Sequence, residues 1–129
     1  MKPIAITQGD PAGIGPEIVA KAFRDAPDLL RGCFVVGDVA TLRRAAACIA
    51  RPGIPSVPVA VLDGIQDAWD APTRCVPVLP LPGLASAVPW GRISAEAGRA
   101  AADCVEWAAR AALRGDVAAL VTAPLHKEA

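Results

Sequence analysis

Tyrosine is absent from this 129-residue chain, histidine occurs once, and phenylalanine and tryptophan contribute two and three residues. A thick aromatic core is therefore excluded. The apolar half of the composition leans on alanine, which suits packed helices. The lone histidine, His126, limits metal chemistry, because three or four ligands of the usual type cannot be assembled around it. It also limits hydrolytic chemistry: a Ser–His–Asp set could use only His126, and no G-x-S-x-G nucleophile turn is present. No sign of charge dominates, with 13 Lys and Arg against 13 Asp and Glu. A basic stripe for phosphate backbones is lacking, so nucleic-acid binding is not expected. Long apolar runs are lacking too. Met1-Lys2-Pro3 leads into Ile4 to Thr7, far too short a run for a signal peptide or a membrane span. Cys33, Cys48, Cys75 and Cys104 form no C-x-x-C pair. Free, mostly buried thiols in a reducing compartment follow, and with them a cytoplasmic location.

What is there alternates between strand and helix. Pro3 to Thr7 predicts a strand stopped by the turn Gln8-Gly9-Asp10-Pro11. Pro16, at the start of a helix, loses no bond the helix needs, and Glu17 suits the positive end of its dipole. Ile18, Val19, Ala22 and Phe23 repeat at helical spacing, and Pro27 ends the run. Cys33 to Val36 predicts a second strand, and Asp38 caps a second helix over Val39 to Ala50. Val57 to Leu62 predicts a third strand. The proline-rich stretch from Asp63 to Arg92 is expected to be irregular apart from a strand at Val76 to Leu79, which Pro77 would push to a sheet edge. Ser94 to Arg114 is the clearest helix. Glu96, Arg99, Asp103, Glu106, Arg110 and Arg114 share one face, read as a solvated stripe, and Gly115 ends it. Val117 to Val121 then predicts an apolar strand covered on both faces. The fold class is α/β, with a mainly parallel sheet and flanking helices. The length fits one domain or a piece of a larger one. The chain stops at Ala129, just as another helix would begin, so an incomplete chain is expected.

Three segments could carry chemistry. The first, Gly9 to Glu17, joins a strand to a helix. Its glycines, Gly13 and Gly15 among them, permit positive φ and close backbone approach to a ligand, and amides at a helix start can hold an anion. The usual dinucleotide fingerprint fails because Ile18 stands where its last glycine belongs, and no P-loop is present. Asp10 and Glu17 oppose a phosphate in the loop itself and would rather accept from hydroxyls or sit near a cation. An ordinary strand-to-helix turn is the competing reading, and the residues alone leave both open. The second segment, Thr122 to Glu128, follows an apolar strand at the edge where ligands of open α/β sheets bind. Thr122 could orient a ligand and Lys127 could bind phosphate or an enolate-like oxygen; a solvated helix position is the bland alternative for Lys127, and a surface residue for His126. The third is Gly91 to Gly98. Gly98 inside a helix costs about 1 kcal/mol relative to Ala, which close packing against another element would explain.

Taken in this order, Gly9-Asp10-Pro11-Ala12-Gly13-Ile14-Gly15-Pro16-Glu17, the Gly91 to Gly98 helix start and Val121 to Lys127 resemble the motifs of the 4-hydroxythreonine-4-phosphate dehydrogenase family. The resemblance spans the whole chain. It implies a fold like that of isocitrate and isopropylmalate dehydrogenases: two α/β lobes around a cleft, paired as a homodimer. Residues 1–129 would be the amino-terminal portion of such a two-lobed subunit, with the carboxyl-terminal part absent. The implied reaction is NAD-dependent oxidation of a phosphorylated small-molecule hydroxy acid such as 4-phosphohydroxy-L-threonine, followed by decarboxylation. A divalent metal (zinc, magnesium or cobalt) held by three histidines polarises the reacting oxygen. Those histidines, and the residues that hold the substrate phosphate, belong to parts of the family pattern beyond this sequence. No metal ligand is assigned here, and no catalytic residue beyond Lys127 as a candidate. Asp10, Gly13, Gly15, Glu17, Thr122 and Lys127 are expected to line the cleft.

Relatives with these motifs act on D-threonate or D-erythronate 4-phosphate or on cyclohexadiene-diol carboxylates, and the Gln8-Gly9-Asp10 version of the loop with Thr122-Ala123-Pro124 stands closer to them. Two other classes remain: a phosphate acyltransferase of similar fold, and a truncated product without catalysis. With one histidine, the chain by itself should produce no NADH from NAD, magnesium or zinc, and 4-phosphohydroxy-L-threonine; turnover above an enzyme-free control would contradict this.

Overall fold

The computed structural model describes residues 1–54, 56–81 and 89–124. Five strands, β1 (Ile4–Thr7), β2 (Cys33–Gly37), β3 (Val59–Val61), β4 (Val76–Pro80) and β5 (Ala119–Thr122), form one sheet in the order β3-β4-β2-β1-β5. Every pairing is parallel. Three helices, α1 (Gly15–Asp25), α2 (Val39–Cys48) and α3 (Ala95–Arg114), and a 3₁₀ segment at Ile65–Asp70 supply the crossovers and the cover.

The strand β2 shows why the sheet is layered as it is. All five of its residues are buried. Cys33 and Val35 point into a core with Val19, Ala20 and Phe23 of α1 and Leu42, Ala45 and Ala46 of α2. Phe34 and Val36 point the other way, against Ala68, Cys104, Ala108 and Ala111. A continuous apolar run is what a strand covered on both faces requires. Small alanines let α3 approach closely, and Trp107 meets Phe34 edge-on with ring centroids 6.4 Å apart.

The helix ends follow local chemistry. The Asp38 carboxylate accepts from the Thr41 amide at 2.9 Å and starts α2. Ser94 Oγ accepts from the Ala97 amide at 3.1 Å and starts α3. Gly115 ends α3 in the left-handed region, its amide reaching Ala111 and Ala112 carbonyls. The expected charged stripe of α3 is exposed along its length, and Glu106 pairs with Arg110 at 2.6 Å.

Three expectations need correction. Pro77 does not mark an edge, because β4 lies between β3 and β2. The Val76 amide donates to Pro58 O and the Val78 carbonyl accepts from the Leu62 amide, so those residues face β3. By alternation the Pro77 nitrogen faces β2, and the β2–β4 ladder starts only at Val35↔Val78, past the missing N–H. Second, the last strand begins at Ala119 and, among the described residues, lies at an edge of the sheet. Its partner is β1 alone, α3 covers Leu120, and Val121 stays 51 % exposed. Third, Ile18 of α1 is exposed, and Ala20 takes its place in the core.

No helix among the described residues is long and apolar enough to cross a membrane. All four cysteines are free, and only Cys48 is exposed. Burial, with Asp103 and Asp38 adding to it, pushes the Cys104 thiol up to about 12 from 9.0; burial also raises Cys33 and Cys75. A thiol whose folded pKa exceeds its unfolded value keeps its proton longer in the native state. Stability is then fully present below pH 9 and falls as pH rises towards 12, by at most roughly 1.4 kcal/mol per pH unit for one thiol. Cys104→Ala should flatten the alkaline limb of a Tm-against-pH curve, with Cys33 and Cys75 leaving a residual slope. An unchanged slope would place the sensitivity elsewhere.

Candidate functional site

At the carboxyl ends of β1 and β5, Thr7 stands beside Val36 and Thr122 in register. The ladder runs slightly past the strands: Gln8 N donates to Val36 O at 3.1 Å and Ala123 N to Thr7 O at 3.2 Å. The chain then turns at Gly9, whose φ is +75°. A Cβ there would lie 2.3 Å from Pro124 O. This left-handed turn aims the Asp10 amide at the same carbonyl, 3.0 Å away. Asp10 then folds the loop on itself. Its Oδ1 accepts from Ala12 N at 2.9 Å, and its backbone carbonyl accepts from Gly13 N at 3.0 Å. Gly15 opens α1, where a Cβ would lie 2.6 Å from Gln8 O.

The glycines thus permit a close approach, but at Gly9 and Gly15 the approach is to the chain's own backbone. Gly13, expected to need positive φ or bare space, needs neither; the nearest atoms a Cβ there would meet are those of the Asp10 side chain, from 3.4 Å. The reason is local: the left-handed residue is Gly9, and Gly13 sits half-buried in the bend that its bond to the Asp10 carbonyl closes.

The third segment joins the same corner. Gly91 N donates to Ala12 O at 2.7 Å, and Ala12 packs against Ala97 in the first turn of α3. From the other side, Arg44 of α2 donates through Nη2 to Pro11 O at 3.0 Å, with its guanidinium 4.5 Å from the centre of the Trp90 ring. The structure therefore places Asp10, Gly13 and Gly15 in one loop at the sheet edge where Thr122 ends β5. Glu17 turns to α2, where Cys48 Sγ donates to its Oε1 at 3.4 Å and the contact raises the Cys48 thiol. Lys127 and His126 lie outside the described residues.

Sequence reasoning missed four participants. Gln8 is fully buried, its Oε1 accepting from Asp38 N at 2.9 Å, its Nε2 without a partner. Thr7 is fully buried with an unpartnered Oγ1. A polar pair at the end of an apolar strand was the signal available for these two. Nothing in the spacing pointed to Arg44 or Trp90. Among the described residues no three His, Cys, Asp or Glu side chains converge to hold a metal.

A family model described as pyridoxal phosphate biosynthetic protein PdxA matches residues 30–129. The chain belongs to the PdxA family. It is similar to the D-threonate 4-phosphate dehydrogenase of Salmonella typhimurium, 44% identical over 132 residues, covering 99% of this chain and 38% of that protein. It is also similar to the 4-hydroxythreonine-4-phosphate dehydrogenase of Beijerinckia indica, 39% identical over 127 residues, covering 98% and 36%. A crystal structure of 4-hydroxythreonine-4-phosphate dehydrogenase from Klebsiella pneumoniae superposes with a TM-score of 0.83 at 36% identity, covering 99% of this chain and 38% of that one. This PdxA-family chain thus spans about 38% of the length of the curated relatives it matches.

The glycine geometry generates a contrast. Gly9→Ala should cost at least about 2 kcal/mol, from a left-handed residue and a backbone clash together. Gly13→Ala should stay within about 0.5 kcal/mol. Thermal melts of the two variants check this; equal losses would refute the assignment of the turn to Gly9.

Proposed function

We propose that this chain forms the amino-terminal part of a two-lobed, NAD-dependent dehydrogenase that oxidises a phosphorylated hydroxy acid, with decarboxylation of the product. Substrates of this chemistry are D-threonate 4-phosphate and 4-phosphohydroxy-L-threonine. The observation that carries the reading is the meeting of three separated segments, Gly9–Gly15, Gly91–Ala97 and Thr122–Pro124, at one carboxyl edge of a parallel sheet, where α/β enzymes bind their ligands. The greater identity to the D-threonate 4-phosphate enzyme, 44% against 39%, favours the first substrate.

In this reading the chain's own part is to hold and orient. Asp10 accepts hydroxyl hydrogen bonds from substrate or cofactor, and Thr122, exposed at the end of β5, orients the ligand. Gly13 leaves backbone open on the outward side of the loop. Lys127 binds the substrate phosphate or a developing oxyanion. Metal and the remaining ligands come from outside the described residues, and the working unit is a cytoplasmic homodimer.

The test places residues 1–129 into the Salmonella typhimurium enzyme in place of its matching segment and follows NADH with each substrate and a divalent metal. Turnover of D-threonate 4-phosphate is expected to exceed that of 4-phosphohydroxy-L-threonine. In this chimera Lys127→Ala should lower kcat/KM by about ten- to a hundredfold, the worth of one charge-assisted contact at roughly 1.5–3 kcal/mol, with Tm unchanged. Unaltered kinetics would return Lys127 to a solvated helix position.

A further inference from the structure

We infer that Arg44 is a positioning residue, a clamp that fixes the Gly9–Glu17 loop against the Trp90–Gly91 turn and so sets how tightly that loop holds its ligand. Three observations converge on it. Arg44 Nη2 donates to Pro11 O at 3.0 Å, and Pro11 is fully buried. The same guanidinium lies 4.5 Å from the centre of the Trp90 ring, while Trp90 itself is 49 % exposed. The next residue, Gly91, donates its amide to Ala12 O at 2.7 Å. Two consecutive loop carbonyls are thus held from outside, one by Arg44 and one by the turn on which Arg44 stacks.

A planar, multidentate cation is suited to this. A guanidinium offers its face to an aromatic ring while its edge donates to a carbonyl. An ammonium lacks the rigid planar fork that meets ring and carbonyl in one geometry, so Arg44→Lys keeps the charge and weakens the pair of contacts. The clamp also reaches across the fold. Arg44 sits on α2, Pro11 precedes α1 and Trp90 precedes α3, so packing of all three helices is read out at one loop.

The kinetic consequence rests on the dehydrogenase reading above; the clamp does not. Amide exchange on the unliganded chain tests the clamp. Arg44→Ala should speed exchange at Ala12, Gly13 and Gly91 by tenfold or more and leave Phe34 to Val36 unchanged, and Arg44→Lys should fall between. Unchanged exchange at Gly91 overturns the proposal. Kinetics in the chimera test the consequence. Arg44→Ala should raise KM three- to thirtyfold while kcat moves less than threefold, and Arg44→Lys should recover part of the loss. Trp90→Ala should act through the same clamp, so the double variant should be no worse than the poorer single one. Additive losses, or a fall in kcat with KM unchanged, overturn it. A chimera that turns over neither substrate sinks the dehydrogenase reading, and exchange then decides on Arg44 alone.

Discussion

The Pro124 carbonyl is the point on which this corner of the molecule hangs. It accepts the Asp10 amide, and it occupies the space that side chains on Gly9 and Gly15 would need. Parallel pairing of β1 with β5 brings the two loops to the same edge, but pairing alone leaves their relative height open. The contact at Pro124 fixes that height. Once it is set, α1 starts against Gln8, and the loop carbonyls of Pro11 and Ala12 fall within reach of Arg44 and Gly91.

The same economy of space governs the core. The chain has few large aromatics, so its layers are held by β2, buried on both faces, and by the alanines of α3. Trp107 is one of the large rings on that side, and it fills the gap beside Phe34. Burial of this kind explains why three of the four thiols are withdrawn from solvent and why Cys104 resists ionisation.

Much of this was legible in sequence because the deciding physics is local. The Asp38 cap, the Gly115 stop and the solvated face of α3 follow from residues within one turn of each other. The meeting of the first and last segments followed from strand direction. What was not legible depends on sheet order, a non-local property. Pro77 reads as an edge residue until its nitrogen is seen to face the unladdered end of β2, and Val117 to Val121 reads as covered until β5 is seen at the edge. The clamp at Arg44 joins residues 33 and 46 positions away, and no periodic pattern encodes such a meeting. Within the motif Gly9 and Gly13 look alike, and only the φ of Gly9 shows which one turns the chain.

The loop's self-satisfied backbone has a consequence for recognition. A glycine-rich loop that waits for its ligand must be ordered at the moment of binding, and that ordering weakens affinity. Here the bonds from Pro124, Asp10, Gly91 and Arg44 order it during folding. For the ligand proposed above, such a loop would leave little ordering to be done on binding.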